Sequence, residues 1–208
     1  MTRLTRKERE RNQHRREIMD AARDLFAGRG YHRVTMHDIA SEAEFSVGKI
    51  YNFFPNKETL YKQLVIGKAD ELEILREQAV QSQADPIAQL QAYLEAEIRF
   101  VRQNIDSVRM YFSEIKQIRS GSHAVLHAEL KPYFDQSIRQ LTDIISNGIR
   151  QRVIRPGDPR RLAVFLDGIT TAFLLEYLDS GDHRTFSAAA ILDLFLNGAA
   201  PRQDAGHV

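Results

Sequence analysis

TMHDIASEAEFSVGKIYNFFPNK, from Thr35 to Lys57, is the stretch around which the rest of this chain is arranged. Thr35 suits a helix N-cap, and Asp38 three residues on makes a weaker relative of the Ser/Thr…Glu capping box. Met36, Ile39, Ala40 and Ala43 then share one face of a helix of about two turns. Ser46 is the next cap, and Val47, Gly48, Lys49, Ile50, Tyr51 and Asn52 follow as a second helix. Its Ile50 can face inward while Lys49, Tyr51 and Asn52 point elsewhere. A helix this short is unstable alone and must be held by its neighbours. Two short helices at a sharp angle, with a third beginning after Pro55, form the pattern by which a helix end is presented to the DNA major groove.

That geometry assigns roles. Residues near the start of the second helix reach base edges, so Ser46, Val47 and Lys49 face the bases, and Gly48 is small enough to allow close approach; Lys49 could donate to guanine O6 or N7. Tyr51, Asn52, the Thr35 hydroxyl and Lys57, beside a helix N-terminus, are expected at phosphates. The competing reading of Tyr51 is a core aromatic, weakened because Phe53 and Phe54 already fill that neighbourhood.

The run from Ile18 to Leu60, with Ala21, Ala22, Leu25, Phe26, Gly30, Tyr31, Thr35, Ile39, Ala40, Ala43, Ser46, Gly48, Ile50, Tyr51, Phe54, Lys57 and Glu58 in fixed register, resembles the N-terminal DNA-binding domain of the TetR (tetracycline-repressor-like) regulators. The resemblance supports Thr35, Tyr51 and Lys57 as DNA contacts. Met36, Glu44 and Phe45 depart from it, standing where the family usually has Thr, Gly and Val. Glu44 matters most, because a turn residue with positive φ suits glycine and costs a residue with a Cβ roughly 1 kcal/mol. The turn is expected to survive, strained or reshaped.

Upstream, Ile18, Ala21, Ala22, Leu25 and Phe26 follow helical spacing in a helix predicted from about Arg9 to Ala27, stopped by Gly28 and Gly30. Within residues 1–16, leading into this helix, are Arg3, Arg6, Lys7, Arg9, Arg11, Arg15 and Arg16 against only Glu8 and Glu10. A basic run is usually a solvated tail; attached to a helix-turn-helix it becomes an expected phosphate or minor-groove contact. Residues 1–62 hold 13 Lys and Arg against 9 Asp and Glu, a net of +4, so the total of +1 leaves −3 for residues 63–208.

The 208 residues are 43% hydrophobic and 27% charged, the make-up of a soluble globular protein long enough to bury a core. There is no cysteine, hence no disulfide framework and no thiolate site. The longest apolar region, Leu162 to Leu178, is interrupted by Asp167 and Glu176, and no secretory leader is evident, so a cytoplasmic location is expected. The expected fold is all-α. A DNA-binding domain covers residues 1–62, a linker helix runs from about 57 to 81, and a helical effector-binding and dimerisation domain covers 63–208.

Further helices are predicted at about 86–103, 106–119, 122–151, 159–179 and 184–197, with Pro132 kinking or splitting the third and a frayed tail from Ala199. Leu162, Phe165, Leu166, Ile169, Phe173 and Tyr177 make a broad apolar stripe on the penultimate helix. Ala189, Leu192 and Phe195 belong to the last. In a monomer these faces would cover a core. TetR regulators dimerise through their last two long helices, and a single reading helix makes too few contacts for specific affinity, so pairing is the expectation.

Resemblance to ligand-responsive TetR regulators further implies a small effector. Tyr93, Phe100, Tyr111 and Phe112, with His127, Tyr133, Phe134 and Phe173, could line its cavity, although aromatics at helical spacing are more often core. Scattered Arg99, Arg102, Arg109 and His127 would suit a largely apolar molecule with a polar or anionic end. His123 and His127 stand four apart, but no Glu follows the first in the zinc-protease pattern, so no metal and no cofactor is expected. No phosphate loop or nucleophile elbow is present. The resulting expectation is a homodimeric repressor that an effector releases from a near-palindromic double-stranded operator. A DNA-binding protein answering to a protein partner is the first alternative, and an α-helical enzyme the second.

Overall fold

A computed structural model of the chain describes residues 5–110, 112, 127–180 and 187–198. Every regular element among the described residues is helical: α1 Arg6–Arg29, a short 3-10 turn Tyr31–Arg33, α2 Met36–Glu42, α3 Val47–Tyr51, α4 Lys57–Gln81, α5 Pro86–Gln103, α6 His127–Arg150, α7 Pro159–Ser180 and α8 Ala188–Asn197, with residues 105–110 helical as well. Among the described residues no helix is long and apolar enough to cross a membrane.

The local chemistry explains most boundaries. The first helix begins at Arg6, a turn before the predicted Arg9, because Thr5 and Glu8 form a full capping box: Thr5 Oγ1 accepts from the Glu8 amide and the Glu8 carboxylate accepts from the Thr5 amide at 2.7 Å. Asn56 Oδ1 accepts from the Thr59 amide at 2.7 Å and opens α4. Asp85 Oδ1 accepts from the amides of Ile87 and Ala88, both at 2.9 Å, and opens α5. Ser187 caps α8, which therefore starts at Ala188 and not near residue 184.

Of the two outcomes expected at Pro132, a kink or a split, the split does not occur. It lies inside α6, where the helix forfeits one backbone hydrogen bond and still continues to Arg150. Beyond Arg150 the chain turns through Arg152 at φ 62°, and Val153 donates back to the Gly148 carbonyl at 3.0 Å. A Cβ on Gly148 would fall 2.6 Å from Ile154 Cδ1, so glycine there is a packing requirement.

The described residues divide into two compact units. The first comprises residues up to Asp70 together with Asn104–Leu130, and the second Glu71–Gln103 with the chain from Lys131 onward. The expected boundary at residue 62 falls inside the first unit, and α4 passes from one unit into the other.

In the first unit Ile18, Ala22, Val34, Ile39, Ile50, Phe54, Leu60 and Tyr61 form a closed core that joins α1, α2, α3 and the start of α4. Tyr31 folds back on it, its ring centroid 4.7 Å from Tyr61 and 5.8 Å from Phe26. Tyr61 donates to the Met110 carbonyl at 3.3 Å, and Lys62 bridges Glu58 and Glu129 at 2.9 and 2.6 Å. The second unit packs α5 and α7 against α8.

Candidate nucleic-acid interface

The turn between α2 and α3 sets the direction of the short helix. Ala43 ends α2, Glu44 adopts the left-handed conformation at φ 56°, the Glu44 amide bonds back to Ser41 at 3.3 Å and the Phe45 amide to Ala40 at 2.9 Å. This is the Schellman arrangement with glutamate where glycine is preferred, the strained but intact turn the sequence foretold. At the start of α2 both halves of the capping box form, Asp38 accepting from the Thr35 amide at 2.8 Å and Thr35 Oγ1 from the Asp38 amide at 3.1 Å. Hydrogen bonds from the Thr35 hydroxyl and amide hold the Asp38 carboxyl below its usual range.

Ser46 caps α3 through the Lys49 amide at 3.3 Å. Ile50 is wholly buried and Val47 half-buried, so these two anchor the helix. Ser46, Gly48, Tyr51 and Asn52 are exposed and Lys49 half-exposed, which gives the five-residue helix one fixed face and one outward face. Tyr51 is 49% exposed, so the core reading of that ring is excluded. A Cβ built on Gly48 would meet nothing within 4 Å, so nothing inside the fold demands glycine there.

Two expected DNA contacts carry partners invisible in the sequence. Lys49 Nζ lies 3.8 Å above the centre of the Phe45 ring. Lys57 Nζ donates to the carbonyls of Tyr31 and Val34, both at 2.8 Å, and sits 4.3 Å over the Tyr31 ring. Burial pushes the Lys57 ammonium below its ordinary value. Its first task is therefore to fasten the 3-10 turn to the start of α4, and one of its three N–H groups remains for another acceptor. Exposed Arg6, Arg9 and Arg16 line a shallow cleft with Glu10, Asn12 and Gln13 along α1.

The residues expected around an effector divide. Tyr111 and the side chain of His127 lie outside the described residues, as does His123, and half-buried Phe112 belongs to the first unit. In the second unit Tyr93 and Phe100 are buried, Tyr133 and Phe173 half-buried, and Phe134 is exposed. Arg99 and Arg102, expected to meet an anionic end, point outward, and Arg109 in the first unit is exposed as well.

The charge inside the second unit comes from other residues, and their polar identity on otherwise apolar helix faces is the signal the sequence holds for them. Buried Arg76 pairs with Glu97 at 3.0 Å and lies 5.0 Å over the Tyr93 ring, and Tyr93 shares a 2.6 Å hydrogen bond with Ser137. Glu73 accepts from Gln136 at 2.6 Å. Burial, reinforced by Glu97, pushes the Asp167 carboxyl up to about 6. Glu73 Oε2, Arg76 Nε and Gln140 Oε1 are buried without a hydrogen-bond partner.

The two-helix stripe expected to pair also divides. Leu162, Leu166 and Leu192 are buried inside the protomer, because α7 turns its Leu162, Ala163, Leu166, Thr170, Leu174 and Tyr177 face to its own unit. Ile169, Phe173 and Phe195 are half-buried. The outward face of α7 is instead Val164, Phe165, Gly168, Ala172 and Leu175, with Phe165 64% exposed, and Ala189 and Leu194 are exposed on α8.

Residues 18–64 match the family model described as bacterial regulatory proteins, tetR family. The chain is 27% identical over 145 residues to the transcriptional repressor KstR2 of Mycobacterium tuberculosis, covering 70% of this chain and 71% of that one. It is 30% identical over 102 residues to the transcriptional activator FasR of Mycolicibacterium smegmatis, covering 49% and 47%. Among solved structures, that of M. tuberculosis KstR2 superposes with a TM-score of 0.72 at 25% identity, covering 88% of this chain and 93% of that one. The fold is also that of Bacillus subtilis FadR in complex with stearoyl-CoA, with a TM-score of 0.74 at 21% identity over 89% and 99%. An all-helical chain with a helix-turn-helix in this register is thus a DNA-binding transcriptional regulator of the TetR family.

Proposed function

We propose that this regulator acts as a homodimer on a near-palindromic operator, with α3 in the major groove, and that a small, largely apolar effector bound in the second unit releases it. The observation that carries the reading is the division of α3: Ile50 is sealed in the core while Ser46, Gly48, Tyr51 and Asn52 face outward on a helix with no other task. Ser46, Lys49 and the exposed part of Val47 read base edges; Tyr51, Asn52, the remaining N–H of Lys57 and the Thr35 hydroxyl, which turns from Asp38 to do so, meet phosphates. Val164, Phe165 and Leu175, exposed together on one face of α7, support pairing there, since a contiguous exposed apolar patch is what an interface would cover.

The effector reading rests on the second unit. Buried Tyr93 stands beside the Arg76–Glu97 pair, and Arg76 Nε and Glu73 Oε2 are buried without a hydrogen-bond partner; such a mixture, in a unit that also buries Phe100, suits an apolar body with one polar end. Solved structures of this fold include complexes with stearoyl-CoA and with choline, and KstR2 is a ketosteroid transcriptional regulator. An effector that favours the released state about a hundredfold shifts the equilibrium by ~2.7 kcal/mol. The location expected of such a protein is the cytoplasm, with the DNA.

Selection from a randomised duplex library by the full-length protein tests the reading. The expected product is two inverted half-sites whose centres lie one helical turn apart, ~34–36 Å, or a multiple of it. Direct repeats, or no enrichment over random duplex, would refute it. Thermal-shift screening with fatty acyl, steroid and quaternary ammonium compounds addresses the effector: a true one raises the melting temperature with concentration and weakens operator binding.

A further inference from the structure

The turn residue Phe45 has no counterpart in the family pattern, where a valine is usual, and its ring does more than fill space. Three observations converge on it. The left-handed Glu44 and the Phe45-to-Ala40 hydrogen bond of 2.9 Å fix its backbone at the mouth of the turn. The His14 ring of α1 packs against it edge-to-face, centroids 5.2 Å apart at 76°, and His14 also meets Phe53 at 6.5 Å and 86°. The ring so clamped carries the Lys49 ammonium 3.8 Å above its centre. Lysine is a flexible four-carbon stem with a compact charge, and in a groove lined by phosphates a free ammonium finds the nearest phosphate as readily as a base. A fixed π face engages the ammonium from one side only, leaving N–H donors on the far side available while restricting where the nitrogen sits.

We propose that Phe45 is a specificity-determining positioning residue: its ring, held by His14 and the α2–α3 turn, places the Lys49 ammonium so that it reads a base edge and is kept from the neighbouring phosphates. This rests on the reading of Lys49 as a base contact. Phe45 itself touches no base in this scheme and acts through Lys49.

The test uses full-length protein and the duplex selected above, with each base pair of one half-site changed in turn. Lys49→Ala first identifies the positions at which discrimination depends on that lysine. Phe45→Leu and Phe45→Met both fill the site without a π face, and Phe45→Tyr keeps the face. The leucine and methionine variants are expected to lose discrimination roughly two- to fivefold at the Lys49-dependent positions alone, the scale of an exposed cation–π contact. The slope of affinity against salt should stay the same or steepen, because an unrestrained ammonium gains phosphate contacts. The tyrosine variant should behave as the native protein. In a Lys49→Ala background Phe45→Leu should change nothing further, the signature of action through one partner.

A uniform loss at every position, or an undiminished effect in the Lys49→Ala background, would reduce Phe45 to a scaffold for the turn and overturn the proposal. If Lys49→Ala alone weakens all variants equally, the base-reading role of Lys49 falls, and the proposal with it. That outcome is seen in the single lysine variant before Phe45 is touched.

Discussion

Lys57 holds the carbonyl oxygens of Tyr31 and Val34 at 2.8 Å each, spanning 26 and 23 residues of chain with one ammonium. The contact closes the 3-10 turn over the start of α4, and the turn in turn delivers Thr35 to the head of α2. A residue matched to a DNA-contacting position is therefore also a clasp. Lys57→Met should strand two part-buried acceptors and cost ~1–3 kcal/mol of stability. Calorimetry should show the loss without DNA present. Binding to all duplexes should weaken alike, with the salt slope smaller by about 0.9 if the third N–H meets a phosphate. An unchanged melting temperature would remove the clasp from the argument.

Glu44→Gly is expected to stabilise the protein. The native φ of 56° is penalised for any residue with a Cβ, and glycine relieves roughly 0.5–1 kcal/mol after its greater freedom in the unfolded chain is counted. Urea denaturation should show a higher midpoint at unchanged slope. Glu44→Ala, which keeps the Cβ, should show no gain.

Gly48→Ala separates folding from reading. Nothing lies within 4 Å of the added Cβ, and alanine in a helix is better than glycine by ~1 kcal/mol, so the variant should melt higher. Its outward position at the second residue of α3 is where close approach to the groove matters, so operator affinity should fall by about tenfold or more. A variant both more stable and equally tight on DNA would show that α3 approaches by another face.

These three positions also show what the sequence could and could not reveal. Capping residues, the apolar period of α1 and the strained turn at Glu44 are local, and the sequence displays them at fixed offsets; the helix boundaries of α4 and α5 followed from Asn56 and Asp85. The Lys57 clasp and the return of residues 104–130 to the first unit depend on contacts far apart in the chain, which local periodicity does not encode, and the Lys49–Phe45 stack, though only four residues apart, depends on how the turn at Glu44 aims the Phe45 ring. The same holds for α7. Its composition is apolar nearly all round, so the sequence supplied a stripe without saying which side faces the core. Leu162 and Leu166 turned inward and Phe165 outward.

Asp167 predicts the pH dependence of the second unit. Burial and the nearby Glu97 raise its pKa to about 6, above the ordinary 3.8, so the folded state binds a proton more tightly than the unfolded chain between those values. Stability owed to this group is thus present below pH 4 and lost as pH rises through 6, a penalty of up to about 3 kcal/mol at neutral pH. Asp167→Asn should raise the unfolding free energy at pH 7.5 and leave it nearly unchanged at pH 4. Equal effects at both values would mean that the carboxyl titrates normally.

Phe165 supplies the decisive variant for pairing. With 64% of its surface exposed beside Val164, Gly168, Ala172 and Leu175, it is the largest apolar side chain on the outward face of α7 and makes little of the protomer's own core. Phe165→Glu should leave folding within about 0.5 kcal/mol of native, since exposed substitutions rarely do more. In a symmetric interface the same change puts two like charges near the twofold axis, where desolvation and repulsion both oppose association. Sedimentation should then report a monomer, and operator affinity should drop steeply because the second reading helix no longer binds with the first. Leu166→Ala is the complementary control: wholly buried in the protomer, it should lower the melting temperature without changing the mass of whatever remains folded. A Phe165→Glu protein that stays dimeric would place the pairing surface elsewhere, with the exposed Ala189 and Leu194 of α8 the next residues to change.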